Sequence, residues 1–361
     1  MIFQSLSLKI DRIPERTFLD LQLGTAYQVV DTTYRGPVDF LLSGHEAVPS
    51  PRVAAWRQKR RIPYTVDLRF FMNYNDQMQN LLRWVQDPRV IVVSNVWHPN
   101  ISHERILFTD FWRDLTRAYH QKFQFQTKTR PLMLASWEDY QLAEINDRTQ
   151  ASRIWLSPSS TNTTTHRFRP RLFEFMQQMT SPGFLGNPKQ NLVLYSNADR
   201  LMDLETNSFQ PADLSIDETV LRYKFCPPHR AYYENSFVSI FSETVEHGSS
   251  LIVTEKTYFA FIQGHFILPF SCQGFTDRVR SFGFRFPSFI DYSYDQEAND
   301  EVRQTRYLNE VQRVCSWPRS QWQQLWNENI DIIQHNRDMM LNTDFGKVDF
   351  RNLQNPNIDV L

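Results

Sequence analysis

Residues 152–196, SRIWLSPSSTNTTTHRFRPRLFEFMQQMTSPGFLGNPKQNLVLYS, decide the fold. SRIWLS reads as a short buried strand, and PSSTNTTT as a polar Pro/Ser/Thr turn. HRFRPRLFEFMQQM predicts a helix opened by a threonine cap, with Pro170 in its first turn. NLVLYS, residues 191–196, predicts a second strand, so that strand, helix and strand make a βαβ unit.

The alternation continues downstream. NSFVSIFSET (235–244) is strand-like, and EHGSS is a turn. LIVTEKTYFAFIQGH then predicts a short strand or turn leading into a helix that begins near Thr254 or Glu255. FILPFS predicts a strand and FTDRVRSFGF a helix. From Asn299 onward, Val302, Tyr307, Val311, Val314, Leu325, Ile330 and Ile333 are separated by charged residues, which predicts helices packing back across the rest of the chain. Upstream, RVIVVSN (89–95) reads as a strand and Phe108–Tyr119 as a helix carrying Trp112, Leu115 and Tyr119 on one face.

A chain of 361 residues exceeds one ordinary domain. The expected division is 1–150, a mixed α/β domain; 151–300, a second α/β domain; and 301–361, a helical segment. Apolar residues at 41 % and aromatic residues at 14 % are too abundant for a disordered chain. Lys plus Arg number 39 against 40 Asp plus Glu, a net charge of −1, so any contact with a polyanion or anionic membrane must be local. One local cluster exists at Arg52, Arg57, Lys59, Arg60 and Arg61. No apolar run reaches the length of a membrane span, and MIFQSLSLKIDRIPER carries no signal-peptide pattern, so a soluble, cytoplasmic protein is expected. Cys226, Cys272 and Cys315 are too widely spaced for a zinc or disulfide framework and read as buried thiols.

Only 10 glycines occur, and none lies between Gly44 and Gly183. Neither G-x-G-x-x-G nor G-x-x-x-x-G-K-[ST] can be written with them, which removes the dinucleotide fingerprint and the P-loop. Two other clusters suit an anion. His166, Arg167, Arg169 and Arg171 follow the first strand of the βαβ unit, where ligands of open α/β sheets collect. Lys256 lies in the first turn of its helix, against the helix dipole, a conflict that an anionic ligand relieves. Glu255 beside it suits sugar hydroxyls. A charged helix start more commonly faces water, and it is the order of the segments that gives these clusters weight.

That order resembles the nucleotide-sugar-binding half of the α1,3-fucosyltransferase-like glycosyltransferases, and more closely still the glycosyltransferase-like proteins of tailed phages and large DNA viruses. The residues that carry the resemblance are RIWLSPSS with Arg169 or Arg171, Phe241-Ser242-Glu243, and Val253-Thr254-Glu255-Lys256. Pro269-Phe270, Gly283-Phe284 and Asp291-Tyr292-Ser293-Tyr294-Asp295 extend it, as does LFTDFWRDLTRAYH in the first half. Tyr258-Phe259 and Arg113-Asp114 depart from the family pattern. The resemblance implies a GT-B-like α/β architecture, two Rossmann-like domains facing a cleft.

It also implies transfer of a sugar from a nucleotide-diphosphate sugar to a hydroxyl acceptor, inverting, metal-independent and without a cofactor beyond that co-substrate. No D-x-D triplet of the metal-binding kind stands in the sequence. Arg169, Arg171 and Lys256, with the N-terminus of the 254–263 helix, are expected to hold the diphosphate, Thr254 belongs to the same donor site, and Glu243 and Glu255 are expected to hold ribose or sugar hydroxyls. The general base is expected among His45, Glu46, His98 and Asp110, with the Gly44-His45-Glu46 turn first. A glycan or glycoconjugate is the expected acceptor. A hydroxylated DNA base, and a non-catalytic nucleotide- or carbohydrate-binding protein on the same fold, are the alternatives.

Overall fold

The computed structural model describes residues 142–149, 151–158, 167–187, 190–196, 230–248 and 250–342. Within the first 117 residues it describes 2–5, 28–30, 40–42, 64–67, 82, 85–86, 90–98, 101, 103, 105–108, 112–113 and 116–117. The chain divides into two compact units: Met1–Leu115 with Ser249–Ile252 and Asp344–Leu361, and Thr116–Gly248 with Val253–Thr343.

The first unit holds a sheet of six strands, β1 (Ile2–Ser5), β2 (Gln28–Val30), β3 (Phe40–Leu42), β4 (Tyr64–Asp67), β5 (Val90–Ser94) and β6 (Ile106–Phe108). Its order is β2-β1-β3-β4-β5-β6 and every pairing is parallel. That is the 2-1-3-4-5 order of a doubly wound sheet, extended by one strand. The strand expected at RVIVVSN is β5. The stretch expected to be helical from Phe108 begins instead with the end of β6, and residues 112, 113, 116 and 117 are helical. Leu251 exchanges two backbone hydrogen bonds with Trp97 in this unit, at 2.7 and 2.8 Å.

The second unit holds β7 (Trp155–Ser157), β8 (Gly183–Asn187), β9 (Gln190–Ser196), β10 (Val238–Ser242) and β11 (Phe266–Phe270), in the order β11-β10-β7-β8-β9. Four strands are parallel and β9 is antiparallel to β8. Read from the β9 side this is the Rossmann order 3-2-1-4-5. The βαβ unit is therefore β7, α1 (Phe168–Gln177) and β8, and NLVLYS is the return arm of a hairpin. The sequence hides β8 because Gly183 lies directly across from Trp155; a Cβ there would stand 2.0 Å from the indole. Glycine in this strand marks a close approach, not a turn.

The remaining described helices are α2 (Arg230–Glu234), α3 (Glu255–Ile262), α4 (Phe275–Ser281), α5 (Asp300–Cys315), α6 (Arg319–Glu328) and α7 (Ile330–Asn342). Gly264, at φ 75°, ends α3 in the left-handed region that a side chain resists. The two faces of the sheet bury different partners, as the two-residue period of a strand requires. Trp155, Val238, Ile240, Leu268 and Phe270 pack with Phe168 and Leu172 of α1 and with Tyr307, Trp322, Trp326 and Ile333 of α5, α6 and α7. On the other face Leu156 and Phe184 pack with Tyr232, Tyr233 and Phe259.

Two expected boundaries move. The helices from residue 301 belong to the core of the second unit and form no third segment. Residues 142–149 also belong there: Trp326 Nε1 donates to Ile145 O at 3.0 Å, and Arg337 to Ala143 O at 2.8 Å. Cys272 and Cys315 are buried free thiols as expected, and Cys226 lies outside the described residues. Among the described residues no helix is long and apolar enough to cross a membrane.

Candidate functional site

In a 3-2-1-4-5 sheet the strand order reverses between the first and fourth strands, here β7 and β10, and ligands of such sheets bind at the carboxyl ends beside that point. The chain places Ser157, Ser242 and Glu243 at these ends. Successive strand residues point to opposite faces, so Ser242 turns toward the α1 side and Glu243 toward the α3 side.

On the α1 side, Ser242 Oγ donates to Glu246 Oε1 at 2.6 Å, and Phe168 N, the first amide of α1, donates to Glu246 Oε2 at 2.9 Å. Arg169 is buried; its Nη2 donates to Glu243 O at 3.3 Å and its Nε stands 3.9 Å from Glu246 Oε1. His247 follows, with Nδ1 3.1 Å from Asp300 of α5. The expected threonine cap of α1 is absent: its N-cap is Arg167, whose side chain makes no capping bond, and Glu246 supplies the acceptor from across the sheet edge.

On the α3 side, Glu243 is fully buried. Its Oε1 accepts from Thr257 Oγ1 at 2.6 Å and Thr254 N at 3.3 Å; its Oε2 accepts from Thr254 Oγ1 at 2.5 Å and Thr244 N at 3.3 Å. Thr254 is the N-cap of α3, yet its hydroxyl serves Glu243. Lys256 Nζ donates to Thr254 Oγ1, Thr244 Oγ1 and Glu255 Oε1 at 3.0, 3.1 and 3.3 Å and lies 3.8 Å from Glu243 Oε2. Lys256 and Glu255 keep 18 % and 16 % of their side-chain surface exposed.

A third helix start repeats the device. Asp295 accepts from Phe275 N, Thr276 N and Thr276 Oγ1 at 3.2, 2.9 and 2.7 Å, filling the N-terminus of α4. Burial pushes the Asp295 carboxyl up to about 6, against the lowering pull of the Thr276 and Phe275 donors. The positive dipole ends of α1, α3 and α4 thus each meet a buried carboxylate of the chain itself.

At the start of the 254–263 helix Glu243 accepts from the N-cap amide of Thr254 and from the hydroxyls of Thr254 and Thr257, and the amides of 255–257 are not among its donors. These positions correct one expected role. Glu243, with four donors on two oxygens and no exposed surface, has no lone pair left for a sugar hydroxyl. Arg169, Glu243, Thr254, Glu255 and Lys256 do come together. Arg171 does not: two residues beyond Arg169 it turns to another face of α1, is exposed, and donates to Gln304 of α5 at 2.9 Å.

His45, Glu46, Asp110, His166 and the basic cluster 52–61 lie outside the described residues. His98 is buried in the first unit, and burial lowers its pKa below the usual histidine value. The sequence alone does not mark Ser242, Glu246, Thr257 or Asp295 as site residues. The available signal is S-E-T-V-E, two carboxylates just beyond a strand. A cleft of about 520 Å³ lies elsewhere in the unit, lined by Arg280, Phe286, Tyr292 and Gln296 among others and by none of the switch-point residues. The switch-point cluster is favoured because convergent charged groups, not volume alone, mark a site. Family models, curated proteins and solved structures yield no match to this chain.

Proposed function

We propose that the chain is a glycosyltransferase, moving a sugar from a nucleotide-diphosphate sugar to a hydroxyl acceptor on a GT-B-like pair of doubly wound units. The observation that carries this reading is the meeting of Arg169, Glu255 and Lys256 at the switch point of a 3-2-1-4-5 sheet. A second parallel sheet in the same chain, of 2-1-3-4-5 order extended by one strand, supports it.

In the reaction an acceptor oxygen forms a bond to the anomeric carbon as the bond from that carbon to the diphosphate breaks, with inversion. The acceptor proton passes to a base, for which His45, Glu46 and Asp110 are the candidates. Negative charge grows on the leaving diphosphate, and fixed cations aimed at that charge lower the barrier. Lys256, part-exposed, makes the direct contact; Arg169, buried behind the edge, supplies charge from beneath. Glu255 accepts from ribose or sugar hydroxyls. The charge compensation assigned to Arg169 and Lys256 calls for no metal and no further cofactor.

Thermal unfolding with UDP, GDP, CDP and dTDP and their sugars tests the reading. A ligand at a hundred times its Kd adds about 2.7 kcal/mol to the native state, a shift of several degrees. One nucleotide series should raise the midpoint. If none does, the reading is wrong.

A further inference from the structure

Glu243 and Lys256 belong to one bonded unit. Both threonine hydroxyls that cradle the ammonium are on residues fixed by the same carboxylate, Thr254 through its Oγ1 and N–H and Thr244 through its N–H. We infer that Glu243 is a positioning residue: by holding Thr254 and Thr244 it fixes the ammonium of Lys256 at the carboxyl edge. The inference rests on the reading of Lys256 as the donor contact for its functional meaning, and on the geometry alone for the positioning itself.

An ammonium has three donors, and all three are engaged here. The two threonine contacts are shorter than the one to Glu255, whose side chain keeps 16 % of its surface exposed. An arriving phosphate therefore replaces Glu255 on Lys256 while the threonine cradle stays in place. The released Glu255 carboxylate becomes an acceptor for the ligand's hydroxyls. Lys256 and Glu255 are thus a resting pair that one ligand separates, with Glu243 keeping the lysine in position throughout.

The first experiment needs no ligand. Acetylation of Lys256 by an N-hydroxysuccinimide ester at fixed pH, read by peptide mass spectrometry against the chain's other lysines, should be several-fold faster in Glu243→Gln than in wild type. The other lysines should label unchanged, which separates a loosened cradle from general unfolding. If Glu243→Gln does not fold, Thr257→Val removes one donor to the same carboxylate and should give a smaller increase. An unchanged Lys256 rate in a folded variant overturns the inference.

The second experiment is calorimetric titration with UDP, GDP, CDP and dTDP. Glu243→Gln should weaken the bound nucleotide about tenfold, and should do nothing more in a Lys256→Met background. An equal loss in both backgrounds overturns the action through Lys256. Wild type that binds no nucleotide, with faster Lys256 labelling in Glu243→Gln, removes the functional reading and leaves the positioning role standing.

Discussion

Ser242, the last residue of β10, and Glu243 just beyond it are adjacent, yet they support helices on opposite faces of one sheet. Ser242 holds Glu246, which caps α1, and Glu243 itself accepts from the N-cap amide and the Thr257 hydroxyl of α3. A strand's alternation makes this possible: one peptide unit at the end of a central parallel strand reaches both layers. The carboxyl edge is therefore organised from the middle of the sheet outward.

Glu246 should be costly to remove. It accepts from Phe168 N and Ser242 Oγ while facing the buried Arg169. Glu246→Ala strands both donors and deprives a buried cation of a counter-charge, a loss of about 3 kcal/mol. Glu246→Gln keeps an acceptor and should lose less. Urea unfolding of the two variants measures the order, and equal losses would refute the cap.

Gly183→Ala should be severely destabilising although alanine suits a strand better than glycine. The new methyl would stand 2.0 Å from Trp155 Cδ2, with Trp155 itself fully buried. Overpacking of this kind costs about 3 kcal/mol. Trp155→Leu in the same chain should recover part of that loss, a coupling that chemical denaturation of the four-variant cycle reads directly. Additive losses would mean that the strand tolerates the methyl by shifting.

Much of the fold is legible in sequence for a simple reason: parallel strands are buried on both faces, so RVIVVSN, NSFVSIFSET and FILPFS stand out as apolar runs. The start of α3 at Glu255 is legible because Thr254 precedes it as an N-cap. What escapes are effects set across space. β8 is masked by a glycine that answers to Trp155, and the partner of α1's N-terminus lies 78 residues away in Glu246. The gathering of Arg169, Glu243 and Lys256 follows from strand order, but Glu243's burial, and so its supporting role, depends on Thr254 and Thr257.

The DYSYD segment, residues 291–295, closes the exposed side of β11. Tyr292 Oη donates to Ile267 O at 2.7 Å and Tyr294 Oη to Pro269 O at 2.6 Å, both on the edge strand. Pro269 itself offers no N–H on that side, a fitting place for proline. Tyr292→Phe and Tyr294→Phe should each cost about 1 kcal/mol in urea unfolding. The double variant leaves two edge carbonyls open and should associate more readily, as light scattering against concentration would register. Unchanged scattering would assign the tyrosines to packing alone.

Asp295 gives stability a pH dependence whose sign follows from its burial. Its carboxyl is raised from 3.8 to about 6 in the folded chain. Below the unfolded value both states hold the proton and there is no penalty. As pH rises through the window, the unfolded chain releases its proton first, so stability falls until the folded group ionises near 6 and is flat above. A rise of about two units corresponds to roughly 3 kcal/mol in all. Asp295→Asn cannot ionise and should lack this fall, so its stability relative to wild type should improve by about 2 kcal/mol between pH 4 and pH 7. The hydrogen bonds from Phe275 N, Thr276 N and Thr276 Oγ1 pull the other way. They govern the constant offset between the two proteins, because asparagine offers one acceptor oxygen where the carboxylate offers two. The slope belongs to ionisation and the offset to capping, and urea midpoints at several pH values separate them. Parallel curves for the two proteins would show that Asp295 ionises as freely in the folded chain as in the unfolded one.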